Sequence, residues 1–443
     1  MPVNTTNDRR HQWRMIQIGF SVVTVIAGFV MPVFAQTPSR TSVAANVTQQ
    51  PVVQSQPLTV RDWVNRPEMF GDWGGVRTSL ADRGFNAQVS WTQFFQSAPS
   101  SENTRAWDYG GKLDFKMTQD LSKQGWEGVS ATSHVEFRYG DVPLLAGGTL
   151  VPTTSALLFP ENEGANAKVS SFYLSKKFGS STLLEAGRFN TVDRYAKPFT
   201  GGEGLDKFGN LAFVMPPLYA RTIPPVTEGV FFTAIKDLEP FVTVGLFEST
   251  DDGFFKNGAT FLASVSVPHH LFPTPGHIGV TTTAGSIVAN SLDQDPYVLL
   301  PPSDVPLVQE SNAWTLDFTF DQYLWWDPVA KQGFGVFGMV GGSDANPSPI
   351  DVFGHFGVGG NSPIHRRSQD TFGAGYYFTG VSETLQDTLD PLIRLRSENG
   401  FEGYYNVAVT GWSKVTANIQ FIDPFAVGSK TRSFFAVRWK LIF

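Results

Sequence analysis

The chain has 443 residues, a net charge of −7 and only 16% charged residues, while phenylalanine alone occurs 38 times. Average soluble proteins carry roughly 25% charged residues. With no cysteine there is no disulfide framework or thiolate chemistry, and the negative balance excludes nucleic acid as a partner, because nothing would neutralise its phosphates.

The first 35 residues read as a signal peptide. Arg9, Arg10 and Arg14 precede an apolar run from Met15 to Val30, followed by Pro32 and Val33-Phe34-Ala35, a charged, apolar and small-residue order that suits cleavage after Ala35. About sixteen apolar residues are short for a bilayer-spanning helix. No later segment reaches 18 uninterrupted apolar residues, so a membrane form of this chain must be a barrel, the other structure that satisfies its backbone in lipid. Residues 36–60 are Gln, Thr, Ser, Pro and Val with little charge, a flexible periplasmic lead. Residues 61–84 form an N-terminal helical segment, with a short helix over Val76–Arg83 stopped by Gly84.

From Phe85 onward the pattern has period 2, as strands require. Phe85, Ala87, Val89 and Trp91 alternate with Asn86, Gln88, Ser90 and Thr92. Trp107, Tyr109, Leu113, Phe115 and Met117 alternate with Asp108, Lys112, Asp114, Lys116 and Thr118. Val129, Val135, Phe137 and Tyr139 alternate with Ser130, Thr132, His134, Glu136 and Arg138. Trp314, Leu316, Phe318, Phe320, Leu324 and Trp326 face away from Thr315, Asp317, Thr319, Asp321 and Tyr323. In the last strand Phe435, Val437, Trp439, Leu441 and Phe443 share one side, against Phe434, Arg438, Lys440 and Ile442. A soluble sandwich has the same period. Aromatics at strand ends (Trp107, Tyr139, Trp314, Trp326, Trp412, Trp439) fit the interfacial girdles of a transmembrane barrel better.

Connection lengths alternate. Short ones lie near 119–128, 179–182, 237–240, 268–276, 327–333 and 411–413; long ones lie near 141–168, 191–225, 288–311 and 342–369. Outer-membrane barrels have short periplasmic turns and longer outer loops. The expected fold is all-β, a transmembrane antiparallel β-barrel over 85–443, with sixteen strands favoured and eighteen possible. Fifteen are placed directly by the pattern. The remaining one is expected within 381–398, where Pro391-Leu-Ile-Arg-Leu-Arg396 is the strand-like piece. The aromatic end at Phe443 suits recognition by the barrel assembly machinery.

Several stretches resemble the carbohydrate-selective porins of Gram-negative outer membranes (the OprB type). Gly71-Asp-Trp-Gly-Gly-Val-Arg77 with Leu80 and Gly84 is similar to the family's opening motif. Glu398-Asn-Gly-Phe-Glu-Gly-Tyr-Tyr-Asn406, Trp412-Ser-Lys-Val-Thr416 and Ile419-Gln-Phe-Ile-Asp-Pro424 resemble its penultimate hairpin. Gly187-Arg-Phe-Asn-Thr-Val-Asp193 and Pro217-Leu-Tyr-Ala220 resemble its middle. The resemblance spans about Trp63 to Phe443. It implies a sixteen-stranded monomeric barrel whose narrow, charged and partly aromatic constriction passes sugars.

A sugar crossing a pore needs donors and acceptors for its hydroxyls, and charged pairs of both signs supply them. The candidates are Glu136 and Arg138 at the narrowest point, then Lys112, Asp114 and Asp108 beside them, Arg188 and Asp193 at the end of another strand, and Arg77 in the N-terminal segment. The alternative is that these charges solvate the wall and pair with one another. An anion pore would need excess Arg and Lys, whereas these residues are mixed in sign.

Catalytic readings are weaker. Asp317 and Asp321 could mimic a glycosidase pair, but alternate lumen residues explain them more simply. His269-His270 has no third ligand at metal spacing, there is no Gly-x-Ser-x-Gly elbow, and Gly357-Val-Gly-Gly-Asn lacks the strand-to-helix setting of a dinucleotide loop and reads as a flexible outer loop. No enzyme, cofactor or metal is expected. The expected function is passive, selective diffusion of mono- or small oligosaccharides into the periplasm, through a monomer or weak homo-oligomer sitting in outer-membrane lipid. The rivals are a general or anion porin and a secreted all-β lectin or hydrolase acting on polysaccharide.

Overall fold

A computed structural model describes residues 59–99, 105–140, 148–158, 167–249, 255–256, 258–269, 272–299, 306–390 and 392–443. The expected signal peptide and nearly all of the expected lead lie outside the described residues. The N-terminal segment carries two helices, α1 (Val60–Asn65) and α2 (Val76–Asp82). Thr59 opens α1 with a capping box, satisfying amides that would otherwise lack a partner. Gly84 follows α2 at φ +89, the left-handed position that favours glycine.

Among the described residues sixteen antiparallel strands close on themselves. They are β1 (Phe85–Pro99), β2 (Arg105–Asp120), β3 (Val129–Gly140), β4 (Ala167–Phe178), β5 (Thr182–Asn190), β6 (Val226–Lys236), β7 (Glu239–Glu248) and β8 (Ala259–His269). The other half holds β9 (Gly276–Asn290), β10 (Gln309–Asp327), β11 (Gln332–Ser343), β12 (Ile350–Asn361), β13 (Thr371–Val381), β14 (Glu398–Ala408), β15 (Ser413–Asp423) and β16 (Arg432–Ile442). Every strand pairs with its sequence neighbours, and β1 with β16 closes the ring, Trp91 opposite Leu441 and Phe95 opposite Val437. A closed ring leaves no unpaired edge, which hydrocarbon demands. By the outer-membrane rule the end with short turns faces the periplasm.

The alternation sorts the faces as expected. On β10, Phe318 is 51% exposed while Asp317 is 0%. A bulge between Tyr323 and Trp325 then exposes Trp325 and turns Trp326 onto Tyr323, ring centroids 4.6 Å apart, so Trp326 does not continue the outward row. Two further outward assignments change at the periplasmic rim. Leu441 is 7% exposed rather than bathed in lipid, and Trp412 is 8% exposed because it packs on Trp63 at 4.6 Å. There the N-terminal segment crosses the closing seam: Met69 N donates to Ile442 O at 2.8 Å, Gly411 N donates to Val64 O at 2.9 Å, and Phe70 stacks on Phe443.

The sixteenth strand is not where the sequence pattern put it. Residues 383–389 form a helix, α5 (Glu383–Leu389), capped by Ser382, and β14 starts only at Glu398. The unrecognised strand is β12, inside the segment 342–369 read as one long loop. Its glycines are not a flexible loop but a wall built for close approach. A Cβ on Gly357 would lie 2.7 Å from Phe337, and one on Gly375 in β13 would lie 2.6 Å from Phe213.

Candidate functional site

The segment 191–225 turns into the barrel instead of leaving it. Asn190 caps its first short helix, α3 (Thr191–Arg194), by accepting from Val192 N and Asp193 N. Further on, around α4 (Leu211–Val214), Phe199, Phe208, Phe213, Leu218 and Tyr219 pack against Phe337, Phe353, Tyr377 and Tyr404 of β11–β14 in the largest apolar cluster. Each buried aromatic contributes roughly 1.5–3 kcal/mol, so this wall binds the loop firmly. A bare strand surface of Gly373 and Gly375 leaves room for Phe208 and Phe213.

Polar clamps fix the rest of the loop. The Glu402 carboxylate accepts from Gly209 N at 2.6 Å and Asn210 N at 2.9 Å. Four residues earlier on β14, Glu398 accepts from Leu150 N and Val151 N at 2.6 and 3.0 Å, holding a second loop inside. From β16, Arg438 donates to Gly204 O and Lys207 O, and Lys440 pairs with Asp206 at 2.6 Å. Lys207 donates to the carbonyls of Lys197, Pro198 and Thr200 at 2.7–3.1 Å, and burial pushes its pKa down to about 8.

Opposite this wall lies a charged network set by the β2–β3 register, which pairs Lys112 with Arg138, Asp114 with Glu136, and Lys116 with His134. Lys112 Nζ lies 3.0 Å from Asp114, 2.5 Å from Glu136 and 2.7 Å from Glu203 of the loop. Arg138 contacts Glu136 at 3.3 Å. Lys116 reaches Glu203, and Asp193 at 3.5 Å. His134 bridges Asp114 at 2.9 Å and Asp193 at 2.6 Å. Burial alone would raise the Glu203 carboxyl, but the Lys112 and Lys116 ammoniums outweigh it and hold the group well below the usual carboxylate range. Asp193 moves the other way, pushed up to about 6 by burial and by Glu203 nearby. Asp114, His134, Glu136 and Glu203 offer ligand atoms within 4.8 Å of one another. The Lys112 ammonium already sits among three of these carboxylates, where a metal ion would have to go.

Lys112, Asp114, Glu136, Arg138 and Asp193 therefore come together as the sequence suggested. Three other candidates do not join them. Arg188 pairs with Glu228 on the outward face, opposite Phe172, which is itself exposed; the residue parity of β5 is the reverse of the one assumed. Arg77 sits at the periplasmic rim, bonded to Glu68 at 2.8 Å and to Phe443 O at 2.8 Å. Asp108 faces inward opposite Gln96, toward the outer end of β2. Glu136 and Arg138 keep only 1% and 5% of their surface, whereas the Lys116 side chain keeps 38%. The wall next to open space is thus one to two pleats nearer the periplasm than the Glu136–Arg138 pair.

His134 and Lys116 are legible as inward residues from the alternation, which offers no ground for ranking them. Glu203 was not legible. It stands in a Gly-Gly-Glu-Gly run, adopts φ +59 between Gly202 and Gly204, and reaches a strand 91 positions earlier. A lone acid among glycines was the sole signal.

Two cavities of about 540 Å³ each open beneath the loop. One is lined by Gln88, Lys116, His134, Tyr173 and Asp193. The other is lined by Glu185, Tyr195, Lys197, Phe241, His277 and Asp321.

A sixteen-strand barrel with apolar residues outside, charges inside and a loop narrowing its lumen has the architecture of an outer-membrane channel. The sequence model of the carbohydrate-selective porins, OprB family, matches residues 104–430, and the chain belongs to that family. It is an integral outer-membrane protein for carbohydrate diffusion. Among solved structures, the high-pH structure of Pseudomonas putida OprB is similar with a TM-score of 0.73 and 18% identity, covering 86% of this chain and 99% of that one. The low-pH structure of the same protein gives a TM-score of 0.55 at 15% identity, with the same coverages. No curated protein matches the sequence.

Proposed function

We propose that sugars cross passively through the space beneath the 191–225 loop, in contact with Lys116 and Asp193, while Lys112, Asp114, Glu136 and Arg138 act as the anchor that holds Glu203 and the loop in place. The exposure contrast between Lys116 and the Glu136–Arg138 pair carries this assignment. An ammonium that donates and a carboxyl that accepts can both meet sugar hydroxyls, and the mixed signs give no strong ion preference. Passage needs no cofactor, energy source or catalytic group. The cavities form within one chain, so a monomer suffices, with export by residues 1–35 and assembly through Phe443 preceding function.

In planar bilayers, added glucose should reduce the ion current saturably. Lys116→Met should weaken that block by about tenfold or more, the loss of a charge-assisted bond of roughly 1.5–3 kcal/mol. In proteoliposomes sugars should enter faster than amino acids of equal size. If sugars neither block current nor outpace such amino acids, the channel is a general porin and the carbohydrate assignment of these residues fails.

A further inference from the structure

We infer that Arg194 is a size-determining partition, dividing the periplasmic half of the lumen into two compartments and so setting the largest sugar that passes. This rests on the proposed route beneath the loop.

The first observation is positional. Both cavities draw their walls from the periplasmic ends of strands: Gln88 and Thr118 for one, Leu183, Glu239 and His277 for the other. They lie side by side under the same loop. Among the described lining residues, Arg194 is the one side chain that borders both.

The second observation is how it is held. Arg194 ends α3, so it follows Asp193 directly, yet the two point apart. Asp193 goes to His134 and Lys116, while Arg194 donates to Glu185 at 2.8 Å. Its guanidinium also lies 4.9 Å from the Phe189 ring centroid and 4.2 Å from that of Phe231. Phe189 and Phe231 meet edge to face at 5.0 Å and are buried with Phe247 as a separate apolar cluster. A planar cation over two aromatic faces and bonded to a carboxylate has little freedom to swing. It therefore behaves as fixed wall, unlike a lysine on a flexible stem.

The consequence follows from size. Each compartment falls within the roughly 300–1,000 Å³ range that encloses one small molecule. Joined, the two would accept a longer neutral polyol. Pore selectivity of this kind depends on diameter and on the lining donors and acceptors, and Arg194 contributes to both.

The test uses the full-length mature protein in planar bilayers and proteoliposomes, comparing wild type, Arg194→Ala, Arg194→Gln and Arg188→Gln. The last removes the same charge from the outward face, outside the lumen. Polyethylene glycols of graded size report the sieving cut-off through their effect on conductance, and a disaccharide-to-glucose influx ratio reports sugar size selection. Arg194→Ala should raise both the cut-off and the ratio several-fold, Arg194→Gln should raise them less, and both should shift ion preference toward cations. Arg188→Gln should match wild type. An unchanged cut-off and ratio in Arg194→Ala that migrates as a folded, heat-modifiable barrel would overturn the partition. Should Arg194→Ala not assemble, the same null result in Arg194→Gln overturns it. The polymer cut-off does not depend on sugar preference, so a wild type that passes amino acids as readily as sugars would defeat the proposed function and leave the partition to be judged on sieving.

Discussion

Glu203 is the residue on which the charged network turns, because from the loop it meets both Lys112 and Lys116 of β2. Replacing it by Gln leaves the Lys112 ammonium, 1% exposed, with one carboxylate fewer, and unbalancing a buried ion cluster typically costs roughly 3–5 kcal/mol. Glu203→Gln should lower the thermal midpoint and make single-channel current noisier as the loop loosens; calorimetry and bilayer recordings together check this. Two acids of the loop, Glu203 and Asp193, impose opposite pH trends. The folded-state pKa of Glu203 is depressed, so its stabilisation is present above the unfolded carboxylate range and fades as pH falls through the lower folded value. That of Asp193 is raised to about 6, so the folded state holds its proton longer than the unfolded chain does, and stability declines as pH climbs from about 4 to about 6. Asp193→Asn should make that decline smaller without touching the acid-side loss due to Glu203. Unfolding midpoints measured from pH 3 to 8 separate the two, and a decline of undiminished size in Asp193→Asn would refute the assignment.

At the scale of elements, the wall of β11–β14 and the loop are a matched pair, bulky aromatics against glycine. Gly375→Ala would put a methyl 2.6 Å from Phe213. Overpacking of this sort costs about 1–3 kcal/mol, and the expected result is a lower midpoint with altered conductance, since the loop must shift. On the lipid face, Phe318→Arg should cost roughly 2–4 kcal/mol near the bilayer midplane, while Thr319→Arg, directed into a cavity, should assemble normally and reduce current. Equal assembly defects in the two variants would place both residues on one face. The same pairing of glycine with aromatics explains what the sequence concealed. β2, β3 and β10 were legible because large apolar and charged residues alternate strictly along them. β12 was not, because Gly354, Gly357, Gly359 and Gly360 remove side chains from both faces; its apolar partners come from β11 and from the distant loop. Arg188 was misassigned for a related reason: with Gly187 at its side, the local pattern did not fix which parity of β5 faces in.

Over the whole molecule, closure of the ring depends on a seam between residues more than three hundred positions apart. β1 meets β16 there, and the N-terminal segment fastens across it. Phe443 contributes three times: its ring stacks on Phe70 at 5.6 Å, its carbonyl accepts from Arg77 at 2.8 Å, and its amide donates to Val89 O of β1 at 2.9 Å. Deleting Phe443 therefore removes both the aromatic end proposed as an assembly signal and part of this fastening, so a loss of barrel could come from either. Arg77→Ala separates them, because it leaves Phe443 in place. It removes a charge-assisted bond of about 1.5–3 kcal/mol and the guanidinium that lies over Trp73. If the aromatic end directs assembly, Arg77→Ala should reach the outer membrane in normal amount, yet lose its compact migration on unboiled gels at a lower temperature than wild type. Deletion of Phe443 should instead reduce the amount assembled before any heating. Equal amounts of both variants in the membrane, with equal shifts on heating, would mean that Phe443 serves only to fasten the seam.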